Sequence, residues 1–461
     1  MQSAEDYATG KGTMGVWVTF ALMVGNVISA SYVVGNTAAI FEYDIAYLWT
    51  FYAYIFGWGL TTAYVSTYRA AAHYYGASSM GEAFRHFYSK RVSVCVNLAV
   101  LVAFMGALSA QTIVVSGLLR TLLGINEIAS VILTIIVLTG IALLGGMKGM
   151  AKVNLLHTIV LAMSVLIVCI SVYSLTSFNE VYTALAPEGV FKMIGGSRST
   201  GYVISTILVQ PFVCVVSALS VAGTYGAKTR KTATRAQIMV PIFAILFFGA
   251  VLLVAVAGRY LWPEMEPSSA WYGISAKFGP WMLALSSCGV LAASMSTAPS
   301  QIMLMSSSIV SIRNTFAQEK LEDKDELKLT KILVIVCGVV FQLLGLISKD
   351  IVNIMTNAYT VWAVAGLVFT LSLVWKRVTE QAVFSGMLGG IGVTAIWIVY
   401  NFIRPGHTPF NIPVATAAGA VSAGLVIIIT LVTGKEKYSP SSQRIRIAKR
   451  SMREAEAKAG E

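Results

Sequence analysis

Apolar runs of about twenty residues, repeated twelve times along one chain, constrain this sequence more than any other feature. A run of that length spans the hydrocarbon of a bilayer as a helix. The runs lie at 14–38, 45–74, 91–122, 126–145, 152–175, 202–225, 236–260, 280–312, 329–348, 351–376, 379–400 and 413–434. They are apolar throughout, whereas barrel strands alternate. With no water in the bilayer core, their backbone must bond to itself as helix. Composition agrees, with only 12% charged residues against about 25% in soluble domains. The first run is too long for a typical signal peptide, has no obvious small-residue cleavage site and is followed by eleven more. The expectation is an all-α polytopic membrane protein.

Cation placement sets the orientation. If the N-terminus is cytoplasmic, the outside segments hold only Arg120, Lys192, Arg198, Arg259, Lys277, Lys349 and Arg404 of the 33 Lys and Arg. This is the positive-inside pattern. It predicts a multi-pass protein of the cell (inner) membrane with both termini cytoplasmic and an even number of spans. The tail 435–461 is basic and polar. Without a recognition module beside it, it reads as attracted to anionic lipid at the cytoplasmic face rather than to nucleic acid.

Several function classes fall away. Ionisable residues are almost absent from the middles of the spans, which opposes a proton pump with buried carboxylates or a voltage sensor. The chain has no GxxxxGK[ST], HExxH or GxSxG, so nothing points to an enzyme. The five cysteines sit inside spans without metal-ligand or disulfide spacing and read as small core residues. No obligatory protein partner is evident.

Intramembrane polarity is instead neutral oxygen, concentrated in two places. In LMVGNVISASYVVGNTAAIF, Gly25, Asn26, Ser29, Ser31, Gly35 and Asn36 crowd together. Such residues compete for backbone hydrogen bonds and predict a local unwinding. Unwound backbone at membrane depth lines a cavity or is buried; close packing of small residues explains the same cluster equally well. The second place is LAASMSTAPSQ, 291–301. Ala293, Ser296, Thr297 and Ser300 fall on one helical face. A threonine hydroxyl reaches the carbonyl four residues back, and Pro299 deprives the Met295 carbonyl of its donor. The result is a neutral oxygen patch suited to a hard cation, or simply hydroxyls bonded back to their own helix.

The sixth run, STILVQPFVCVVSALSVAGTYG, predicts a break at Gln210-Pro211. Interrupted helices in corresponding positions of two inverted halves mark the midplane site of a transporter. No residue-level repeat is visible, so this symmetry is topological.

Several blocks, in order, resemble the sodium:solute symporter family. They are EDYATGKGTMGVW (5–17), ISASYVVGNTAAIFEYDI (28–45), GEAFRHFYSKR (81–91), LLGGMKGMAKVNLLH (143–157) and, most specifically, LAASMSTAPSQ. The likeness extends over about 1–400, and LVAFMGALSAQ (101–111) looks closest to the pantothenate and monocarboxylate branches. The resemblance implies a leucine-transporter-type core of five plus five inverted helices. The expected division is a lead-in at 1–13, repeats at 14–175 and 202–376, two further helices at 379–434 and the tail. It also implies a sodium site made of the carbonyls of Gly25, Ile28 and Ala293 and the hydroxyls of Ser296 and Thr297.

Three departures stand out. Relatives usually carry a helix before the lead-in, whereas this chain starts almost at it. Many have an aspartate on the fifth helix, along the sodium exit route, where this chain has Asn154. The block Ala222-Gly223 before Ala227-Lys228 matches only partly. The functional expectation is sodium-coupled symport of a small organic solute, with sodium as the coupling ion. Proton-coupled or sodium-independent uptake, or a transport-dead sensor, are the alternatives. Ser31, Tyr32, Gln210, Asn357, Tyr359 and Trp362 are the candidate solute contacts, and Asn154 the candidate for ion release.

Overall fold

Each apolar run satisfies its backbone internally, and the computed structural model is accordingly helical. It describes residues 10, 12–25, 29–317, 319, 321–343, 351–404, 407 and 409–459. Among these, the only strand-like pairing is a single bridge between Met14 and Ala227. Nine helices of the described residues are long and apolar enough to cross a membrane.

The first run is split into α1 (Val16–Gly25) and α2 (Ala30–Tyr43), with Ser29 extended between them. Asn26, Val27 and Ile28 lie outside the described residues. The second run is α3 (Leu48–Thr61) and α4 (Val65–Tyr75), joined by a turn of 3₁₀ helix. A short amphipathic helix, α5 (Met80–Phe87), leads into α6 (Lys90–Leu123). The fourth and fifth runs form α7 (Glu127–Tyr173), which is broken at Gly146, where φ is 57°. After α8 (Phe178–Leu185), the sixth run gives α9 (Thr200–Val209), α10 (Pro211–Val215) and α11 (Ala218–Gly226). There follow α12 (Arg230–Leu261), α13 (Ala270–Ala276), α14 (Pro280–Phe316), α15 (Asp323–Leu343), α16 (Ile351–Val374), α17 (Glu380–Ile403), α18 (Val414–Thr433) and α19 (Pro440–Ala459).

The sixth run is interrupted at Gln210-Pro211, between α9 and α10, but the larger departure from helix comes later. Gln210 is helical, at φ −60° and ψ −32°, and Pro211 occupies the first position of α10. Proline is tolerated there because its φ already suits a helix. The chain leaves the helix at Val216 and Ser217, and the Ser217 side chain caps α11 by accepting from Ser220 N. A serine that competes for backbone bonds after two β-branched valines marks the break better than the proline does.

Packing then places the broken helices at the centre. α14 runs along α7 and α6, α1 packs against α7 and α12, and α10 is wedged between α3 and α16. The wedge needs glycine on both sides. A Cβ at Gly57 would stand 2.3 Å from the Pro211 carbonyl oxygen, and one at Gly366 would stand 1.9 Å from that of Phe212. α17 and α18 pack on each other and on α16, at the periphery.

The basic tail is more structured than its composition suggested. α19 buries Ile445, Ala448 and Met452 against α4 and α5. Their spacing of three and four residues is that of one helical face. Arg444 donates to the carbonyls of Phe87 (3.3 Å) and Tyr88 (2.7 Å). Burial, with Arg453 nearby, holds the Lys449 ammonium below its ordinary pKa. The lead-in meets the other cation-rich connection on this face: Met14 N donates to Gly226 O at 2.8 Å and Lys228 N to Met14 O at 2.9 Å. Met14 and α19 therefore lie on one side of the bundle.

Candidate ion and solute site

Helix periodicity alone aligns Ala293, Ser296 and Thr297, and α14 buries all three, with exposures of 1%, 3% and 0%. Ser296 Oγ donates to the Ala293 carbonyl at 2.7 Å, and Thr297 Oγ1 to the same oxygen at 2.9 Å. The two hydroxyl oxygens are 3.4 Å apart. Both therefore bond back to their own helix, as the plainer expectation had it. Thr297 does more: its hydroxyl also donates across the bundle to the carbonyl oxygen of Gly25, the last residue of α1. Ser300 Oγ donates to Ser296 O at 3.1 Å and Ser294 Oγ to Gln111 Oε1 at 3.0 Å, so these two hydroxyls hold the helix in place.

The donor set fits a hard monovalent cation. Four neutral oxygens converge, those of Gly25, Ala293, Ser296 and Thr297. Oxygen ligands at about 2.4 Å from a cation stand about 3.4 Å apart in an octahedron. Ser296 and Thr297 already have that separation. The pairs now closed by hydrogen bonds need to open by roughly 0.5–1 Å to reach it. Each hydroxyl uses its proton in those bonds and keeps lone pairs for a metal. The fifth oxygen implied by the resemblance belongs to Ile28, outside the described residues.

Asn154 stands beside this patch. A Cβ built on Gly25 would lie 3.0 Å from Asn154 Nδ2 and 3.6 Å from the Ser296 Cβ. Asn154 is 1% exposed and its Nδ2 has no hydrogen-bond partner among the described residues. A buried amide without a partner is costly, so its place is one where a ligand or a rearrangement is expected to complete it. It adds no charge.

The other candidates surround α10 and α2. Tyr32, Gln210, Tyr359 and Trp362 are all at least nine-tenths buried. Tyr32 makes an edge contact with Tyr54 at 5.9 Å between ring centres and packs on Phe248 at 5.7 Å. Trp362 meets Tyr359 at 6.1 Å and Phe104 at 4.8 Å. Cys214 of α10 bonds to the Tyr54 carbonyl at 3.6 Å, which seats the wedge against this aromatic wall. Three buried polar atoms near it have no hydrogen-bond partner among the described residues: Gln210 Oε1, Trp362 Nε1 and Asn36 Nδ2. Asn357 is half-buried one turn from Trp362. Ser31 lies at the start of α2, and nothing is described of its side chain. Sequence reading passed over Tyr54, Phe104 and Phe248, which come from three different helices. It named Asn36 only as part of the small-residue cluster, although Asn36 is one turn from Tyr32.

The C-terminal end of α2 carries a feature that sequence did not flag. Arg259, near the end of α12, pairs with Asp44 and donates to Phe41 O at 3.1 Å. It thereby neutralises the last carbonyls of α2, as a cation at a helix C-terminus does. Arg198 lies over the rings of Tyr43 (3.5 Å) and Tyr202 (4.5 Å), closing the loop 186–199 over the same end.

Comparisons with known proteins agree with this architecture. The sequence profile of the sodium:solute symporter family matches residues 7–390. A sodium/proline symporter of Haemophilus influenzae is 24% identical over 272 residues, covering 56% of this chain and 51% of the relative. The osmoregulated proline transporter OpuE of Bacillus subtilis is 28% identical over 132 residues, covering 28% of this chain and 26% of the relative. The chain thus spans about half or less of the length of these curated relatives. Among solved structures, a substrate-bound, outward-open sodium-coupled sialic acid symporter superposes with a TM-score of 0.78 at 16% identity, covering 94% of this chain and 92% of that one. Mhp1, a nucleobase-cation-symport-1 family transporter in a closed conformation, gives 0.57 at 15% identity over 96% and 98% of the two chains. These likenesses establish the fold, which is leucine-transporter-type.

Proposed function

Because this chain belongs to the sodium:solute symporter family, we propose that it is a secondary active transporter that carries sodium and a small organic solute together into the cell. The observation that carries the reading is the hydrogen bond from Thr297 of α14 to the carbonyl of Gly25, where the first span is interrupted. A cation shared by these oxygens ties α1 to α14, so ion binding and the position of the broken helix are linked. Interrupted helices at a midplane site are how carriers of this architecture expose backbone oxygens and helix ends to their cargo.

The ligands in this reading are the carbonyls of Gly25, Ile28 and Ala293 and the hydroxyls of Ser296 and Thr297. The ion supplies the driving force: a charge moving down the membrane potential releases about 2.3 kcal/mol per 100 mV. The solute sits between α2, α10 and α16, against Tyr32, Gln210, Tyr359 and Trp362, with Ser31 and Asn357 at its edge. The unpartnered N–H groups of Trp362 and Asn36 suit a carboxylate, and the unpartnered Gln210 oxygen suits an ammonium or hydroxyl. Aromatic rings around a cation add attraction. A small zwitterion uses all of these, and the proline carriers among the relatives are a precedent. The repeats 14–175 and 202–376 then rock against each other, with the termini at the cytoplasmic face of the inner membrane.

The test is uptake by the reconstituted chain of proline, a monocarboxylate and a sugar, under sodium, potassium or proton gradients. Uptake driven by sodium alone supports the reading; uptake indifferent to sodium sinks it. One observation favours sodium-independent uptake: a neutral asparagine, Asn154, stands beside the ion patch where the resemblance implies an aspartate in many relatives. Solute binding without uptake under any gradient is the signature of a sensor.

A further inference from the structure

A basic niche lies on the side of the bundle that holds Met14 and α19, away from the ion and solute oxygens. Arg69 and His73, one turn apart on α4, and Arg230, the first residue of α12, line an open cavity of about 380 Å³. Met452, Ala455 and Glu456 of α19 complete its wall. An adjoining cavity of about 90 Å³ is lined by Thr229, Arg230, Lys231 and Glu456. Glu456 is the one carboxylate lining either cavity, against Arg69, Arg230 and Lys231. Arg230 Nε donates to both of its oxygens, at 2.9 and 3.1 Å. The pair is only partly buried, with side-chain exposures of 37% and 19%, so other anions reach it.

The first turn of α12, capped by Thr229 Oγ1 accepting from Thr232 N at 3.1 Å, adds the positive end of a helix dipole, which favours negative charge. About two turns further along, Ile238 and Ile242 are exposed as a lipid-facing residue would be. The niche therefore lies at headgroup depth.

We propose that this niche binds a phosphate-bearing anion, that Glu456 is its internal occupant, and that the anion releases the last two turns of α19. Phosphate offers more acceptor oxygens and more charge than a carboxylate, and guanidinium recognises it in two-pronged fashion. The attachment of α19 is uneven in a way that allows this. Its first half is held by buried Ile445 and Ala448 and by the Arg444 bonds to Phe87 and Tyr88. Its second half is held by buried Met452 at its start and, beyond that, by the tie Arg230–Glu456. Arg69 also donates to the carbonyls of Thr224 (3.3 Å) and Ala227 (3.0 Å) at the end of α11. An anion in the niche thus acts on the group that holds the inner end of the second interrupted span.

The experiment places the full chain in nanodiscs of phosphatidylcholine alone, or of phosphatidylcholine with one part in five phosphatidylglycerol. Spin labels at Tyr74→Cys and Lys458→Cys, with the native cysteines replaced by alanine, report the distance from α4 to the tail. Native mass spectrometry of the unmodified chain counts retained phosphatidylglycerol, so the result stands even if the labelled chain folds poorly. The expected result is a longer tail distance with phosphatidylglycerol. The same shift with inorganic phosphate in phosphatidylcholine discs identifies free phosphate as sufficient; its absence assigns the site to a lipid headgroup. Glu456→Gln raises phosphatidylglycerol retention roughly two- to fivefold, the range of a half-exposed ion pair, and Arg230→Gln abolishes the response. An unchanged distance with both anions, or an Arg230→Gln chain that retains lipid like the parent, overturns the proposal. Neither readout depends on transport, so failure of the symport reading leaves this test intact.

Discussion

Removing one hydroxyl tests the ion site most directly. Thr297→Ala deletes an oxygen that bonds both to Gly25 of α1 and to Ala293 of its own helix. Without sodium the loss is that of one shared hydrogen bond, about 1 kcal/mol. With sodium bound at the proposed site, the same change removes one of its five proposed ligands. A contact to a charged group is worth about 1.5–3 kcal/mol, which is about a 10- to 150-fold weakening of sodium binding. The assay is initial solute uptake into proteoliposomes across a sodium titration. The half-saturating sodium concentration is expected to rise by that factor in Thr297→Ala, and likewise in Thr297→Val, which keeps the shape. Thr297→Ser keeps the oxygen and is expected to stay within a few-fold of the parent. Sodium is also expected to protect the parent against heat, because binding to the folded state alone stabilises it, and that protection is expected to vanish in Thr297→Val. A sodium titration that does not move in Thr297→Ala, while uptake still requires sodium, refutes the assignment of these oxygens.

Three further predictions follow from the same geometry. Asn154→Asp places a carboxylate beside Gly25 and Ser296; it is expected to tighten sodium binding and slow release, seen as a lower half-saturating sodium concentration and a lower maximal rate. Uptake by that variant is expected to gain a pH dependence, falling as the new carboxylate is protonated at low pH. Gly366→Ala drives a methyl group into the Phe212 carbonyl, at 1.9 Å, and overpacking of this kind costs about 1–3 kcal/mol; thermal unfolding in detergent is expected to report that loss, with solute binding impaired because α10 is displaced. Arg259→Gln removes the charge that pairs with Asp44 at the end of α2; it is expected to destabilise the fold by about 1–3 kcal/mol and to raise hydrogen exchange in 40–44, whereas a protected segment there argues against a clamp.

Much of this could be read from residue order because it is local. The α14 patch is a matter of helical period and oxygen chemistry, and both are written in LAASMSTAPSQ. The interruption of the first span follows from small and polar residues that compete for backbone bonds. The sixth span shows half of its irregularity locally: proline marks the boundary between α9 and α10 but costs little at a helix start, and the fuller departure comes at Ser217. The tail misled because its charge masks an apolar face of three residues, Ile445, Ala448 and Met452, which makes it a docked helix.

The sequence by itself determined that the chain lies in a membrane, that its cations gather in alternate connections and which helix face carries the uncharged oxygens, because bilayer length, charge asymmetry and helical period act within a few residues. Only the tertiary structure decided what those oxygens meet. Gly25 and Thr297 are 272 residues apart, and no local rule brings them together. The same holds for Asn154 beside that patch, for an aromatic wall drawn from Tyr54, Phe104 and Phe248, and for Glu456 against Arg230. Each is a contact between distant segments that exists because α10, packed at Gly57 and Gly366, and α14, packed along α7, leave one way for the bundle to close.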